Sequence, residues 1–291
     1  MEHVLPVVAG LVYKSDEERI KYIREKHWIG YPLAQKTLKK LEDLFNHPQT
    51  HRMPNILIKS HTNNGKSYLL KRFLRMHPPY EDQNDQRVKT PIIYLEVPPA
   101  PTPESLYVLI LQALHIAYRD SNSKDTKRKK AIDGIGYYGV KMIMIDELHV
   151  LMNTTKLLKA QLLDTIKYLG NDGEVPIVGS GTLEAHRAIV SDEQLGNRFE
   201  PLLLPQWKLN TEFRRLLASF EKALPLKYPS NLSEQEITTH IYSMSGGWIG
   251  EVDEVLRRAS IKAIQKGEEK ITVDILKSLD WIAPETRLST E

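Results

Sequence analysis

Asn55-Ile56-Leu57-Ile58-Lys59 leads directly into Ser60-His61-Thr62-Asn63-Asn64-Gly65-Lys66-Ser67, and an amphipathic stretch from Tyr68 to Met76 follows. A short apolar strand, a polar loop ending Gly-Lys-Ser and a helix form the context in which such a loop cradles phosphates with its backbone N–H groups. In that reading Thr62, Asn63, Asn64 and Gly65 carry the cradle, Lys66 reaches the β- and γ-phosphates, Ser67 ligates Mg²⁺ and Tyr68 opens the helix. The first position departs from the usual pattern, because Ser60 brings a Cβ where glycine normally permits a tight backbone. Asn63 and Asn64 partly compensate, since asparagine tolerates left-handed geometry.

The second informative stretch is Met142-Ile143-Met144-Ile145-Asp146-Glu147. Four apolar residues without a polar face predict a central strand, and carboxylates at its tip want a cation. Asp146 is therefore expected at the metal and Glu147 as the residue that polarises a water. His149 either packs against the following helix or belongs to the motif. The pair lies far enough beyond Lys66 for other strands to intervene.

Further strands are expected at Pro91–Val97, Val175–Val178 and Leu202–Leu204, which makes five. Helices are expected at Glu104–Tyr118, Lys156–Leu169 and from Leu183. Strands alternating with helices predict an α/β fold with a mainly parallel sheet covered on both faces. Before this core, Ser15 and Glu18 have capping-box spacing, and Leu33, Leu38, Leu41, Leu44 and Phe45 mark an amphipathic helix ending before Pro48. After Trp207 the chain turns helical: Thr211–Leu224, Ser233–Met244 with Ser233 and Glu236 in capping-box spacing, Glu251–Lys266 and Thr272–Trp281. The expected organisation is a helical lead-in packed on the core (1–50), a nucleotide-binding core (51–206) and a helical lid and tail (207–291).

The chain has 291 residues, 41% of them hydrophobic, enough to bury a full core. It has no cysteine, which excludes disulfides, zinc-thiolate sites and thiol nucleophiles. No apolar run approaches a membrane span, the N-terminus lacks the layout of a secretory signal, and cytoplasmic residence is expected. A net charge of +3 is compatible with a polyanionic partner.

Three further positions bear on hydrolysis. Ser180 and Thr182, in Gly179-Ser180-Gly181-Thr182, follow a strand where a polar side chain can sense the γ-phosphate or orient water. Arg198 lies just before the last strand, where oligomeric ATPases place an arginine finger aimed at a neighbour's nucleotide. In Ser245-Gly246-Gly247-Trp248-Ile249-Gly250, Gly250 stands where a second sensor arginine would be expected, so that Arg257 or Arg258 would have to substitute. Asp146-Glu147-Leu148-His149 also has the form of a DExH box, but helicases of that type need two lobes, and only helices follow Leu204. The densest basic stretch, Lys124, Lys127, Arg128, Lys129 and Lys130, is either a solvated loop or a set of phosphate contacts to DNA.

Taken together, the helical lead-in, phosphate loop, Ile145–His149, Val178–Thr182, Asn197–Glu200 and helical lid resemble an AAA+ ATPase. Trp28-Ile29-Gly30-Tyr31-Pro32, Met53–Ile58, Asn64–Ser67 and Ser245–Gly250 narrow the resemblance to the TniB/TnsC family of transposition regulators, over roughly Trp28 to Arg258. The resemblance implies ATP and Mg²⁺ as cofactors, with Trp28, Ile29, Tyr31 and Pro32 near the adenine and Arg198 donated in trans. It also implies a homo-oligomer, as ring or helical filament, on non-specific duplex DNA, recruiting a transposase and tied to target selection through a TniQ-like protein. Hydrolysis would reset the assembly, and the protein would be bacterial and nucleoid-associated when on DNA. A replication initiator or helicase loader, and a nucleotide-gated DNA scaffold with little hydrolysis, are the alternatives.

Overall fold

Met142-Ile143-Met144-Ile145 forms a strand buried along its whole length, as a run with no polar face requires. The computed structural model that shows this describes residues 3–50, 52–83 and 85–288. In chain order its elements are α1 (Pro6–Ala9), α2 (Asp16–Arg24), α3 (Pro32–Phe45), β1 (Asn55–Lys59), α4 (Lys66–Met76), β2 (Tyr80–Glu81), β3 (Val88–Lys89) and β4 (Ile92–Glu96). There follow α5 (Pro103–Ala113), α6 (Lys124–Tyr137), β5 (Met142–Asp146), α7 (Lys156–Asp172), β6 (Ile177–Gly181), α8 (Leu183–Val190), α9 (Glu193–Gly196) and β7 (Phe199–Leu203). The last elements are α10 (Thr211–Glu221), α11 (Gln235–Ser245), α12 (Ile249–Gln265), α13 (Val273–Lys277) and α14 (Pro284–Leu288).

Five strands pair in parallel in the order β4-β5-β6-β1-β7. This is the expected α/β sheet, and β6 is the strand that intervenes between the phosphate-loop strand and the acidic strand. Because all five run the same way, the loop after β1, Asp146 at the end of β5 and Ser180 near the end of β6 share one edge. Ile58 registers with Ser180, and Glu96 with Asp146. Leu57, Ile93, Ile143, Ile145 and Ile177 of the sheet join Leu106 and Ile110 of α5 and Leu162, Ile166 and Leu169 of α7 in one apolar core.

The chain divides into two compact units. One is the sheet unit, Leu33–Thr62 and Lys66–Pro205; the other is helical and takes the described residues of Met1–Pro32, Asn63–Gly65 and Gln206–Glu291. The expected lead-in is thereby divided, with α1 and α2 in the helical unit and α3 beyond Pro32 in the sheet unit. Inside the helical unit, Ser15 and Glu18 do form the capping box that opens α2. Arg19 of that helix is fully buried, donating to Glu269 at 2.6 and 2.8 Å and to Asp16 at 2.7 Å. No described helix is long and apolar enough to cross a membrane.

Several boundaries differ from expectation for identifiable reasons. The polar segment at 119–130 is not only a loop: Ser123 accepts a hydrogen bond from the Thr126 N–H and starts α6 at Lys124. Helix α5 stops at Ala113, and His115 just beyond it adopts left-handed geometry at φ 54°. Strand β6 begins at Ile177 and continues through Ser180 and Gly181, where the sequence pattern suggests a polar tail. A Cβ on Gly181 would lie 2.5 Å from Ala185 Cβ and 3.1 Å from His149 N, so glycine is what lets the strand pass this close to its neighbours. Strand β7 starts three residues before Leu202, and Ser233 does not cap α11, whose N-cap is Glu234.

Candidate functional site

Lys66 is the first residue of α4, so its ammonium stands at a helix N-terminus. It is buried and donates to the carbonyls of His61 at 2.8 Å and Ser60 at 3.3 Å. Burial lowers its pKa, while the charges of Glu147 and Asp146 oppose that shift. Ser60 is buried, and its N–H donates to Gly181 O at 3.1 Å, so the loop's unusual first residue is locked between β1 and β6. Thr62 is exposed, and Tyr68 is half-buried in the first turn of α4.

Asp146 ends β5, buried and surrounded by donors. Oδ2 accepts from Tyr94 Oη at 2.8 Å, Oδ1 accepts from the Glu147 N–H at 2.9 Å and from Ser180 Oγ, and the Ser67 hydroxyl bonds the same carboxylate. Burial pushes the Asp146 carboxyl up, but bonds from Ser180, Ser67, Tyr94 and the Glu147 N–H outweigh burial and hold it below the usual carboxylate range. The phenol of Tyr94 is driven up by burial and by the Asp146 charge. Tyr94 is a partner that sequence reading missed; its only signal was a lone hydroxyl in the apolar strand Pro91–Val97.

Glu147 sits just beyond the strand in left-handed geometry, at φ 63°, ψ 31°. Its Oε2 lies 3.2 Å from His149 Nδ1, but out of line, since that buried nitrogen completes no hydrogen bond. Of the two expected sensors, Ser180 is bonded to Asp146, whereas Thr182 Oγ1 is buried with no hydrogen-bond partner among the described residues. Arg198 is at the other end of the sheet: its carbonyl accepts from Asn55 N at 3.0 Å, where β1 begins. Its Nη1 donates to Asn171 Oδ1 at 2.6 Å, and burial, reinforced by Arg52, lowers its pKa.

In the helical unit, Asn63 takes the left-handed geometry expected of it, with φ 55°. Its Nδ2 donates to Glu251 Oε1 at 2.8 Å, and its carbonyl accepts from Gly250 N at 3.1 Å. A Cβ on Gly250 would lie 2.0 Å from Asn63 Oδ1, so no side chain fits where a second sensor would start. Nor does either proposed substitute stand ready. Arg257 donates to the carbonyls of Ile23 (2.7 Å) and Arg24, and Arg258 pairs with Glu254 at 2.7 Å and covers the Trp281 ring at 5.3 Å. Tyr31 is buried edge-on to Trp207, with centroids 5.2 Å apart, and burial pushes its hydroxyl up to about 12. Trp28 and Ile29 are half-buried, and Pro32 is exposed.

The family model described as Bacterial TniB protein matches residues 19–209, a span that runs from α2 through the whole parallel sheet to the start of the helical tail. The chain belongs to the bacterial TniB family. A comparison with curated proteins finds no match. Among solved structures, this TniB-family chain is similar to the Cdc6p protein of Pyrobaculum aerophilum, with a TM-score of 0.64 at 13% identity over 92% of this chain and 74% of that one. It is also similar to the Aeropyrum pernix ORC2 protein in ADPNP-ADP complexes (TM-score 0.63, 14% identity, 88% of this chain and 70% of that one). The Aeropyrum pernix ORC1 protein in complex with DNA gives a TM-score of 0.61 at 14% identity, over 89% of this chain and 68% of that one. These likenesses establish the P-loop AAA+ fold.

Among the described residues of this TniB-family chain, no three His, Asp or Glu side chains gather into a metal site. Ser67 and Asp146 nevertheless fit Mg²⁺, a hard cation that takes oxygen ligands and is held by one or two protein groups plus substrate phosphates. In the basic segment the structure corrects one candidate DNA contact. Lys127 is 3% exposed and donates to Glu104 and, at 2.9 Å, to Asp120 O, so it staples α6 to its surroundings. Lys130 bonds Ala117 O at 3.0 Å, and Arg128 pairs with Asp125 at 3.4 Å over the Tyr168 ring. Lys124 and Lys129 stand exposed.

Proposed function

We propose that the chain is an ATP-dependent transposition regulator that assembles on duplex DNA, links target selection to transposase recruitment and is reset by hydrolysis. Membership of the TniB family supports the biological role, and the convergence of Ser67, Tyr94, Ser180 and the Glu147 N–H on one buried carboxylate beside Lys66 carries the chemistry. The loop from Thr62 to Ser67 binds the phosphates, and Lys66 exchanges its two carbonyl partners for phosphate oxygens. Ser67 and Asp146 would hold Mg²⁺, which when bound neutralises phosphate charge. Glu147 accepts a proton from the attacking water. Thr182 is the sensor of the pair, because its hydroxyl has no partner among the described residues while Ser180 orients Asp146.

Arg198 stands at the opposite edge of the sheet from Lys66, and so serves a neighbouring subunit's nucleotide rather than its own. That placement favours a homo-oligomer, ring or filament. Lys124, Arg128 and Lys129 supply sequence-independent phosphate contacts to DNA, repeated in every subunit and weakened by salt. A TniQ-like protein and a transposase are the partners this reading assigns, and Trp28, Ile29, Tyr31 and Pro32 line the adenine. Likeness to the ORC and Cdc6 folds favours a second reading, a replication initiator or helicase loader.

Electron microscopy with ATP, Mg²⁺ and non-specific duplex DNA tests the proposal. Rings or filaments are expected, and Glu147→Gln, which keeps ATP binding but removes the proton acceptor, makes them persist. Monomers alone, in both forms of the protein, would overturn it; binding to a replicative helicase with no effect on transposase recruitment would favour the second reading.

A further inference from the structure

Glu251 lies in the first turn of α12 and makes two contacts that the chemistry above does not use. Its carboxylate receives Arg287 of α14 through both arms, Nη1 to Oε1 at 3.3 Å and Nη2 to Oε2 at 3.1 Å. Through Oε1 it also receives Asn63 Nδ2 at 2.8 Å. Arg287 lies over the Trp281 ring at 4.9 Å, and Asn63, Glu251 and Arg287 border a cavity of about 470 Å³ that Lys26 and Gly250 also line.

A carboxylate in the first turn of a helix is unremarkable by itself, because the helix dipole favours it there. The dipole accounts neither for the two-armed arginine nor for the bond to the loop residue. Asn63 belongs to the run that receives the phosphates, so an uncompensated Glu251 would place a negative charge beside a polyanionic ligand. Repulsion of that kind at a partly screened site lowers affinity by about tenfold. Arg287 cancels it while leaving Glu251 free to accept from Asn63.

We propose that Arg287 is a positioning residue for nucleotide binding: it neutralises Glu251, and Glu251 in turn holds Asn63 in its left-handed place in the phosphate loop. Asn63 is thus gripped through a carboxylate and its counter-ion, where Gly250 leaves no room for an arginine. The inference rests on the nucleotide-binding reading of the loop.

Equilibrium binding of fluorescent MgATP and MgADP to the full chain tests it. Arg287→Ala should weaken MgATP by about tenfold and MgADP by clearly less, since the effect follows ligand charge. Adding Glu251→Gln to that variant should restore MgATP affinity to within about threefold, because glutamine still accepts from Asn63 without the charge. Arg287→Lys, which keeps the charge, should stay within about threefold of wild type; circular dichroism confirms that each variant is folded. Unchanged affinity in Arg287→Ala, equal losses for both nucleotides, or no rescue by Glu251→Gln would overturn the inference while leaving the nucleotide reading intact. A wild-type chain that binds neither nucleotide would overturn both.

Discussion

Asp146 in the sheet unit and Glu269 in the helical unit are both buried carboxylates held ionised, but by different means. Glu269 faces two full cations, Arg19 at 2.6 Å and Lys227 at 2.7 Å, and the bond from Arg19 leads in bringing its carboxyl down to about 2. Asp146 faces three hydroxyls and a backbone N–H, and among the described residues no lysine or arginine pairs with it. Cations close an ion pair and end its field; dipoles ionise the acid yet leave its charge available to an arriving cation. The first arrangement builds a fold, and the second, under the proposed function, keeps a binding site unfinished.

Four measurements can break or sharpen that contrast. Glu269→Gln leaves the buried Arg19 guanidinium with the half-exposed Asp16 as its remaining described carboxylate and should lower the unfolding free energy by about 3 kcal/mol in urea denaturation; a loss below about 1 kcal/mol would remove the structural reading. Asp146→Asn should reduce ATP turnover by at least about a hundredfold, yet cost clearly less stability than Glu269→Gln, because only hydrogen bonds from neutral donors are lost and no buried cation loses its partner. Matching stability losses in the two variants would erase the distinction. Acid should then separate them further. The folded pKa of Glu269, about 2, is depressed below its ordinary 4.5, so its contribution is present above pH 4.5 and is lost as pH falls through about 2. Glu269→Gln should flatten the urea midpoint across that window, while Asp146→Asn should leave the part due to Glu269 in place. The smallest effect is expected from Tyr94→Phe, which removes one of four donors, about 1 kcal/mol, and should raise the Mg²⁺ needed for half-maximal ATP binding about fivefold. An unchanged Mg²⁺ requirement would remove Tyr94 from the site.

The parts of this site that follow one another along the chain are legible in the amino-acid order alone. A fully apolar strand ending in Asp146-Glu147, and a strand running into Asn64-Gly65-Lys66-Ser67, leave little freedom about fold or edge. What escapes is carried by residues distant in sequence or ambiguous in period. Tyr94 reaches Asp146 only because β4 and β5 are neighbours. Lys127 lies in a run that reads either as a solvated loop or as phosphate contacts to DNA, yet its long stem goes inside and its ammonium finds Glu104. Strands β2 and β3 have two residues each, too few to show any alternation. Ser233 has the right spacing for a cap, but the chain starts α11 one residue later, and composition alone cannot choose between two adjacent starts.

Gly250 also constrains what substitution can do to this chain. Any side chain there meets Asn63 within bonding distance, and Asn63 is held by Glu251 in turn. An arginine at this position is therefore out of reach by one amino-acid change, because its Cβ would collide with Asn63. A change at residue 63 does not lift the bar, because the backbone carbonyl there would still lie 2.7 Å from the new Cβ. Selection for faster hydrolysis would find its arginine elsewhere on the helical unit sooner than it would reopen this site.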